Sequence, residues 1–248
     1  MPVSNSLAAA EVAIQSAYGL LVVYLFVRHL PAGILGWFFL FSFCMLRIVG
    51  GALSLGASPS STSTSIVSNI GLSPLLLAAG GILHEARSYR LKSVNKRVEW
   101  VLGVTFHFLV ATGIALLAVG VSGLASDHPQ ANDNQLLDVG LAMLAVSWAL
   151  LGLSVVALFF ERGNYAATYS SGTTTLPKLL MSVVFALPFI GIRLFYSIVA
   201  LTTRKPYLSP VSGALTIRVL LSFLPEVITV LGFLVAGFKT RNAARTRK

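Results

Sequence analysis

The chain has 248 residues, of which 56% are hydrophobic and only 10% are charged. Soluble globular domains carry about 25% charged residues, so this composition excludes an ordinary soluble protein and is typical of a polytopic membrane helix bundle. The net charge of +10 lies in short segments between apolar stretches, so we expect it to set membrane orientation and not to bind nucleic acid.

Seven apolar stretches are each long enough to cross about 30 Å of hydrocarbon as a helix. The predicted spans are residues 7–30, 33–56, 66–86, 98–122, 136–160, 177–202 and 213–238. Pro31 and Gly33 break the helix between the first two spans. We therefore predict an all-α fold with a single seven-helix transmembrane domain at 1–238 and a basic cytoplasmic tail at 239–248.

Most basic residues of the predicted loops and tail lie on one side of the membrane. That side holds twelve Lys and Arg residues, and the opposite side holds Arg204 and Lys205. The twelve are Arg28, Arg87, Arg90, Lys92, Lys96, Arg97, Arg162, Lys239, Arg241, Arg245, Arg247 and Lys248. The positive-inside rule then predicts a cytoplasmic C-terminus and an N-terminus outside the cell or in the lumen. The sequence leaves open whether the membrane is the endoplasmic reticulum or the plasma membrane.

Charged and ionisable residues lie inside several of the predicted spans. Arg47, His107, Arg193 and Glu226 are surrounded by apolar residues, and ionisable groups at membrane depth are costly and often functional. At 1.5 Å per residue, Arg47, Arg193 and Glu226 lie about 21, 24 and 18 Å from the cytoplasmic end, so they share a layer. Such a cluster is either a structural ion pair that locks three helices or part of a site, and both interpretations stay open.

Further polar residues accompany this layer. Tyr196 lies one turn after Arg193, on nearly the same helix face, and Pro225 precedes Glu226. Prolines free backbone carbonyls, which suits a bundle opened around a pocket as well as an ordinary kink. The candidate catalytic residues are Glu226, His107 and Tyr196. The candidates for substrate binding or ion pairing are Arg47, Arg193, Glu11 and Ser73.

The sequence contains no motif for a cofactor or a metal. We find no P-loop, no dinucleotide fingerprint and no acidic magnesium motif, so we expect no cofactor. His84 and Glu85 lack the second histidine of a zinc protease helix, and Cys44 is the single cysteine. We expect no metal site. Near predicted cytoplasmic boundaries, Trp37 and Trp100 are expected to join an aromatic belt.

Five sequence motifs place polar or small residues among apolar ones. They are Gly36-Trp37-Phe38-Phe39, Leu46-Arg47-Ile48-Val49-Gly50-Gly51, Gly71-Leu72-Ser73-Pro74-Leu75-Leu76-Leu77-Ala78, Pro188-Phe189 with Ile192-Arg193 and Tyr196, and Pro225-Glu226. These motifs resemble those of an uncharacterised family of fungal seven-span membrane proteins. The similarity extends over most of the chain. It implies the seven-span fold and its topology, and no activity. Some fungal membrane proteins of similar size are terpenoid cyclases, but their motifs are absent here, so that comparison is an analogy of fold only.

The sequence supports two functions from different classes. The leading hypothesis is a membrane-embedded acid/base enzyme, a cyclase or isomerase acting on a lipophilic isoprenoid or secondary metabolite, with Glu226 as the acid and His107 or Tyr196 relaying protons. The alternative is a seven-transmembrane receptor or sensor with a ligand pocket among its helices. The expected partners are membrane lipids and a lipophilic small molecule, and the sequence identifies no protein partner.

Overall fold

A computed structural model describes residues 3–31, 33–56, 72–88, 96–124, 126, 130–164, 175–203, 205–209 and 213–242. Within these residues the secondary structure is almost entirely helical, with short turns beside the helices, and no strand occurs. The all-α prediction is therefore confirmed. The apolar bundle also fits a multi-pass membrane protein.

Seven main helices follow one another along the described chain. They are α1 (Val3–Arg28), α2 (Ile34–Gly56), α3 (Leu72–Ser88), α4 (Lys96–Leu124), α5 (Ala131–Asn164), α6 (Thr175–Thr203) and α7 (Leu215–Thr240). Six of them are long and apolar enough to cross a membrane. The exception is α3, whose 17 residues reach about 25 Å. The number of crossings and the orientation stay predictions.

The helix ends differ from the predicted spans by up to several residues. Of the third predicted span, residues 66–71 lie outside the described part of the chain, and α3 begins at Leu72. The last helix continues to Thr240, so the predicted basic tail begins inside it, and residues 243–248 lie outside the described part. Apolar content locates a span, whereas its ends depend on local capping that hydropathy does not report.

The short helix α3 lies at the centre of the bundle. It packs against α2, α4, α5 and α6, while further contacts join the consecutive pairs α1–α2, α4–α5, α5–α6 and α6–α7 and close the bundle between α1 and α7. Buried residues occur on every face of α3, from Leu72 to Ala86. A helix that is apolar all round is stable only when other helices surround it, which places the core of the protein around α3.

Glycines allow α2 and α3 to approach each other closely. A Cβ atom at Gly36 would lie 2.7 Å from the backbone nitrogen of Ile82, and one at Gly81 would meet the backbone of Gly36. Membrane helices commonly use small residues for such backbone contact. The close approach brings the start of α2 beside the end of α3, where a buried polar cluster lies.

A π-helical turn interrupts α7 just before its buried acid. Val219–Phe223 form this turn, and the Leu224 amide donates to the Val219 carbonyl. Pro225 follows, with a ring that has no N–H and crowds the preceding turn. Wider π turns often occur at functional positions in helices. The turn lies immediately before the segment of α7 that carries Pro225 and Glu226.

Candidate functional site

Arg47, Arg193 and Glu226 meet in the interior of the bundle. The Arg193 Nε–H donates to Glu226 Oε1 at 2.8 Å, and an Nη2–H of Arg47 donates to the same oxygen. The three side chains come from α6, α2 and α7 and are 0–9% exposed. The shared depth predicted from the sequence is thus realised as one cluster, which we call the ion cluster.

Neighbouring side chains hold the two guanidinium groups in place. An Nη1–H of Arg193 donates to the Ser197 hydroxyl, one turn further along α6. The Arg193 Cζ lies 5.7 Å from the ring centre of Tyr196, and the Arg47 Cζ lies 5.7 Å from that of Phe43. Cation–π contacts of this kind strengthen when they are desolvated. The guanidinium groups are therefore fixed by both ion pairs and aromatic rings.

The ion cluster retains hydrogen-bonding capacity that the described residues do not use. Arg47 Nε is buried without a hydrogen-bond partner among them, and so is the Oε1 atom of Gln15 on α1. Glu226 Oε1 accepts hydrogen bonds from both Arg47 and Arg193. Buried polar atoms in native proteins normally have partners, so this region is unusual.

Gln15 lies at the level of the ion cluster. A Cβ atom at Gly19 would lie 3.8 Å from the Cβ of Cys44, which fixes the register of the antiparallel helices α1 and α2. Gln15 is four residues before Gly19, and Arg47 is three residues after Cys44. These offsets of about 6 and 4.5 Å point in the same direction. The polar residues at this depth therefore come from α1 as well as from α2, α6 and α7.

Glu11 lies one turn before Gln15 on α1 and is half-buried. The charges of Arg47, Glu226, Arg218 and Arg193 act on its carboxyl group, and none of the described residues forms a hydrogen bond with it. Glu11 is thus a second acid beside the ion cluster. We call the set of Glu11, Gln15, Arg47, Arg193 and Glu226 the polar layer.

The other predicted site residues take different positions. Tyr196 stacks on Arg193, but its hydroxyl donates to the Leu208 carbonyl at 3.0 Å, which ties α6 to the loop before α7. Ser73 is buried in the first turn of α3. Their predicted roles stay predictions.

His107 lies away from the ion cluster. Its Nδ1–H donates to the Gly103 carbonyl of its own helix at 2.7 Å, and its ring lies 5.8 Å from that of Phe39. Phe39 is eight residues before Arg47 on α2, which corresponds to about 12 Å along the axis. The structure therefore separates His107 from Glu226, and its role as a proton relay stays a prediction.

A second buried polar cluster joins the ends of four helices. His29 Nδ1 lies 2.5 Å from Glu85 Oε1, and the Trp37 Nε1–H donates to Glu85 Oε2 at 3.0 Å. The His29 Nε2–H donates to the Gly237 carbonyl at 3.1 Å. All three side chains are at most 1% exposed. The prediction that Trp37 joins an interfacial aromatic belt is wrong, because its indole N–H bonds a buried carboxyl group.

The geometry determines how many protons this second cluster holds. A carbonyl oxygen only accepts hydrogen bonds, so His29 Nε2 must carry a hydrogen. One further proton then lies between His29 Nδ1 and Glu85 Oε1, as an imidazolium–carboxylate pair or as a neutral imidazole with a carboxylic acid. The pair is neutral overall in either form, which explains how it is tolerated in an apolar bundle.

Sequence reasoning does not find this second cluster. It places His29 in a loop, Glu85 at a helix end and Trp37 at the membrane interface, and each position is ordinary taken alone. Two glycines are the sequence feature that could have indicated this close packing. A Cβ at Gly33 would lie 2.6 Å from Glu85 Oε2, and one at Gly237 would overlap the Trp37 ring. Within the described residues, no three His, Cys, Asp or Glu side chains are grouped as metal ligands.

Comparison with known proteins identifies a family for nearly the whole chain. Residues 1–243 match the family described as a domain of unknown function, DUF7702. The chain belongs to this DUF7702 family. The match carries neither a fungal origin nor a number of membrane spans, so these parts of the sequence-based resemblance stay predictions. No curated protein and no solved structure matches the chain.

Proposed function

We propose that this DUF7702 chain is a membrane receptor or sensor that binds a lipophilic small molecule between its helices, with the polar end of the molecule in the polar layer. The observation that carries the proposal is the unused hydrogen-bonding capacity of Gln15 Oε1 and Arg47 Nε, which are buried without a partner among the described residues. An unpaired buried polar group costs about 1–3 kcal/mol. A ligand that supplies the missing partners recovers this free energy.

The charges of the polar layer suggest the chemistry of the ligand. Two guanidinium groups face one carboxylate in the ion cluster, so one positive charge is left for Glu11 or for a ligand to balance. An oxygen of a carboxylate, phosphate or carbonyl group would accept from Arg47 Nε, and a hydroxyl group would donate to Gln15 Oε1. The expected ligand is a hydrophobic molecule with an oxygen-bearing end.

The geometry favours ligand binding without catalysis over an acid/base enzyme. Oε1 of Glu226 is occupied by two guanidinium groups. His107 and Tyr196 both donate to backbone carbonyls and do not face this carboxyl. A general acid or base must lie within hydrogen-bond reach of its proton partner, and the three candidate residues form no such chain among themselves.

Glu11 supports a membrane-embedded acid/base enzyme as a second candidate function. Its carboxyl group has no hydrogen bond from a described residue and lies under the electrostatic influence of Arg47 and Glu226. A carboxyl group in that position can exchange a proton with a molecule bound in the polar layer. The substrate class would be a lipophilic isoprenoid or other secondary metabolite, and the reaction a cyclisation or isomerisation.

Co-purification tests the proposed binding function. Wild-type protein and an Arg47→Gln variant are purified in detergent, extracted with organic solvent and compared by mass spectrometry. Ser147→Ala is the matched control, because Ser147 is buried in the bundle and, among the described residues, its hydroxyl bonds the Met143 carbonyl of its own helix. We expect a compound in wild type and the control that is depleted in Arg47→Gln. Equal amounts in all three proteins would contradict the proposal.

Metabolite profiles separate the enzyme from the receptor. Cells that express wild type or Glu11→Gln are compared at matched levels of folded protein. An enzyme predicts a product that disappears with Glu11→Gln while its precursor accumulates. A receptor predicts that neither compound changes, even when the purified protein still carries a ligand.

A further inference from the structure

A groove between α6 and α7 opens on the outside of the bundle, apart from the polar layer. Its volume is about 530 Å³. Its walls are mostly apolar, and the polar side chains among them include two lysines. The lining residues are Pro177, Lys178, Met181, Ser182, Phe185, Ile228, Leu231, Gly232, Val235, Ala236 and Lys239.

The two lysines lie at one end of this groove. Lys178 is in the first turn of α6 and Lys239 is in the last turn of α7, and both side chains are exposed. The two helices are antiparallel, so these residues share a level. This is the end that the positive-inside rule assigns to the cytoplasm, and the cytoplasmic leaflet is the one rich in anionic lipid.

The apolar part of the groove matches the depth of one leaflet. From Lys239 to Ile228, α7 rises about 16 Å, and half of a hydrocarbon core of about 30 Å is 15 Å. Exposed apolar side chains, including Met181, Phe185 and Leu231, line this length. A Cβ atom at Gly232 would lie 2.9 Å from the Phe185 ring. The absence of a side chain at Gly232 therefore allows α6 and α7 to lie close together at the base of the groove.

We propose that this groove binds an anionic phospholipid of the cytoplasmic leaflet, with its phosphate between Lys178 and Lys239 and one acyl chain along α6 and α7. Basic pockets between membrane helices on the cytoplasmic side are recognised sites for such headgroups. The lysines attract the phosphate, while the acyl chain covers apolar surface that faces the membrane. The site is independent of the proposed receptor function, since it shares no residue with the polar layer.

Native mass spectrometry with added phosphatidylserine tests the site. The full-length protein in detergent is titrated with phosphatidylserine and, in parallel, with phosphatidylcholine. At about 1 kcal/mol per basic residue, Lys178→Gln and Lys239→Gln are each expected to weaken phosphatidylserine binding about fivefold, and the double variant about thirtyfold. Lys205→Gln is the matched control, because Lys205 is exposed but lies outside the groove.

A second variant distinguishes lipid binding in the groove from simple attraction to surface charge. Leu231→Trp fills the apolar part without changing any charge, and we expect it to weaken phosphatidylserine binding as well. Inorganic phosphate at the same concentration is expected not to compete, because it has no acyl chain. The proposal is overturned if the double lysine variant binds phosphatidylserine as wild type does, if Lys205→Gln loses as much affinity, or if phosphate displaces the lipid.

Discussion

The carboxylate of Glu226 is the shared counter-charge of two guanidinium groups. The loss of stability that a substitution in the ion cluster causes therefore depends on which partner it removes. Glu226→Gln leaves both guanidinium groups buried without a counter-charge, which costs about 3–5 kcal/mol. Arg47→Gln leaves the contact between Glu226 and Arg193 intact, so we expect a smaller loss. Thermal unfolding in detergent measures the difference. Equal losses of stability in the two variants would contradict this expectation, because Arg47 would then contribute as much to stability as the Glu226 carboxylate.

The shared proton of the second cluster leads to a different prediction. In Glu85→Gln, the amide oxygen can accept from the Trp37 indole and the amide nitrogen can donate to Nδ1 of a neutral His29. We expect this variant to unfold within about 1 kcal/mol of wild type. Glu85→Ala leaves both groups unpaired, at about 1–3 kcal/mol each. If the glutamine variant is as unstable as the alanine variant, His29 is held as an imidazolium ion.

Sequence alone reveals one of these two clusters. Arg47, Arg193 and Glu226 stand out because each interrupts a long apolar stretch, and the constant rise of a helix gives their depth. Gln15 does not stand out, because a neutral amide in a span is less conspicuous than a charge. His29 and Glu85 lie near predicted span ends, where polar residues are common. Their pairing depends on how four helices pack, which hydropathy does not contain.

At the scale of the helices, the close contact between α2 and α3 is the feature most sensitive to added volume. Gly81→Ala places a methyl group against the backbone of Gly36, so the helices must separate, at about 1–3 kcal/mol. Gly152→Ala is the control, since a Cβ there meets nothing within 4 Å, and the better helix propensity of alanine favours it by up to about 1 kcal/mol. Unfolding temperatures that fall equally for both variants would contradict this packing.

The helices themselves are predictable from the sequence, but the special position of α3 is not. Each long apolar stretch forms one helix, because the backbone must satisfy its own hydrogen bonds in lipid. The composition of α3 resembles that of the other spans, and only the packing reveals that it is surrounded on all sides. The π turn before Pro225 is also beyond prediction, since a proline signals a distortion without specifying its type.

For the whole molecule, the number of crossings determines where the two termini lie. Seven crossings place the termini on opposite sides, whereas six crossings place them on the same side. The surplus of basic residues predicts a cytoplasmic C-terminus and an N-terminus outside or in the lumen. We expect an N-terminal glycosylation tag to be modified and a C-terminal one to remain unmodified. Equal modification states at the two ends would show an even number of crossings and contradict the seven-span prediction.

The central claim is that the polar layer binds a ligand and is more than a structural lock, and Gln15→Leu tests it most directly. Gln15 forms no hydrogen bond with a described residue, and its Oε1 is buried, so an apolar side chain of similar size removes an unpaired group. We predict that the variant keeps or raises the unfolding temperature of the ligand-free protein but loses the compound that co-purifies with wild type. If the variant retains that compound in the wild-type amount, the claim is contradicted.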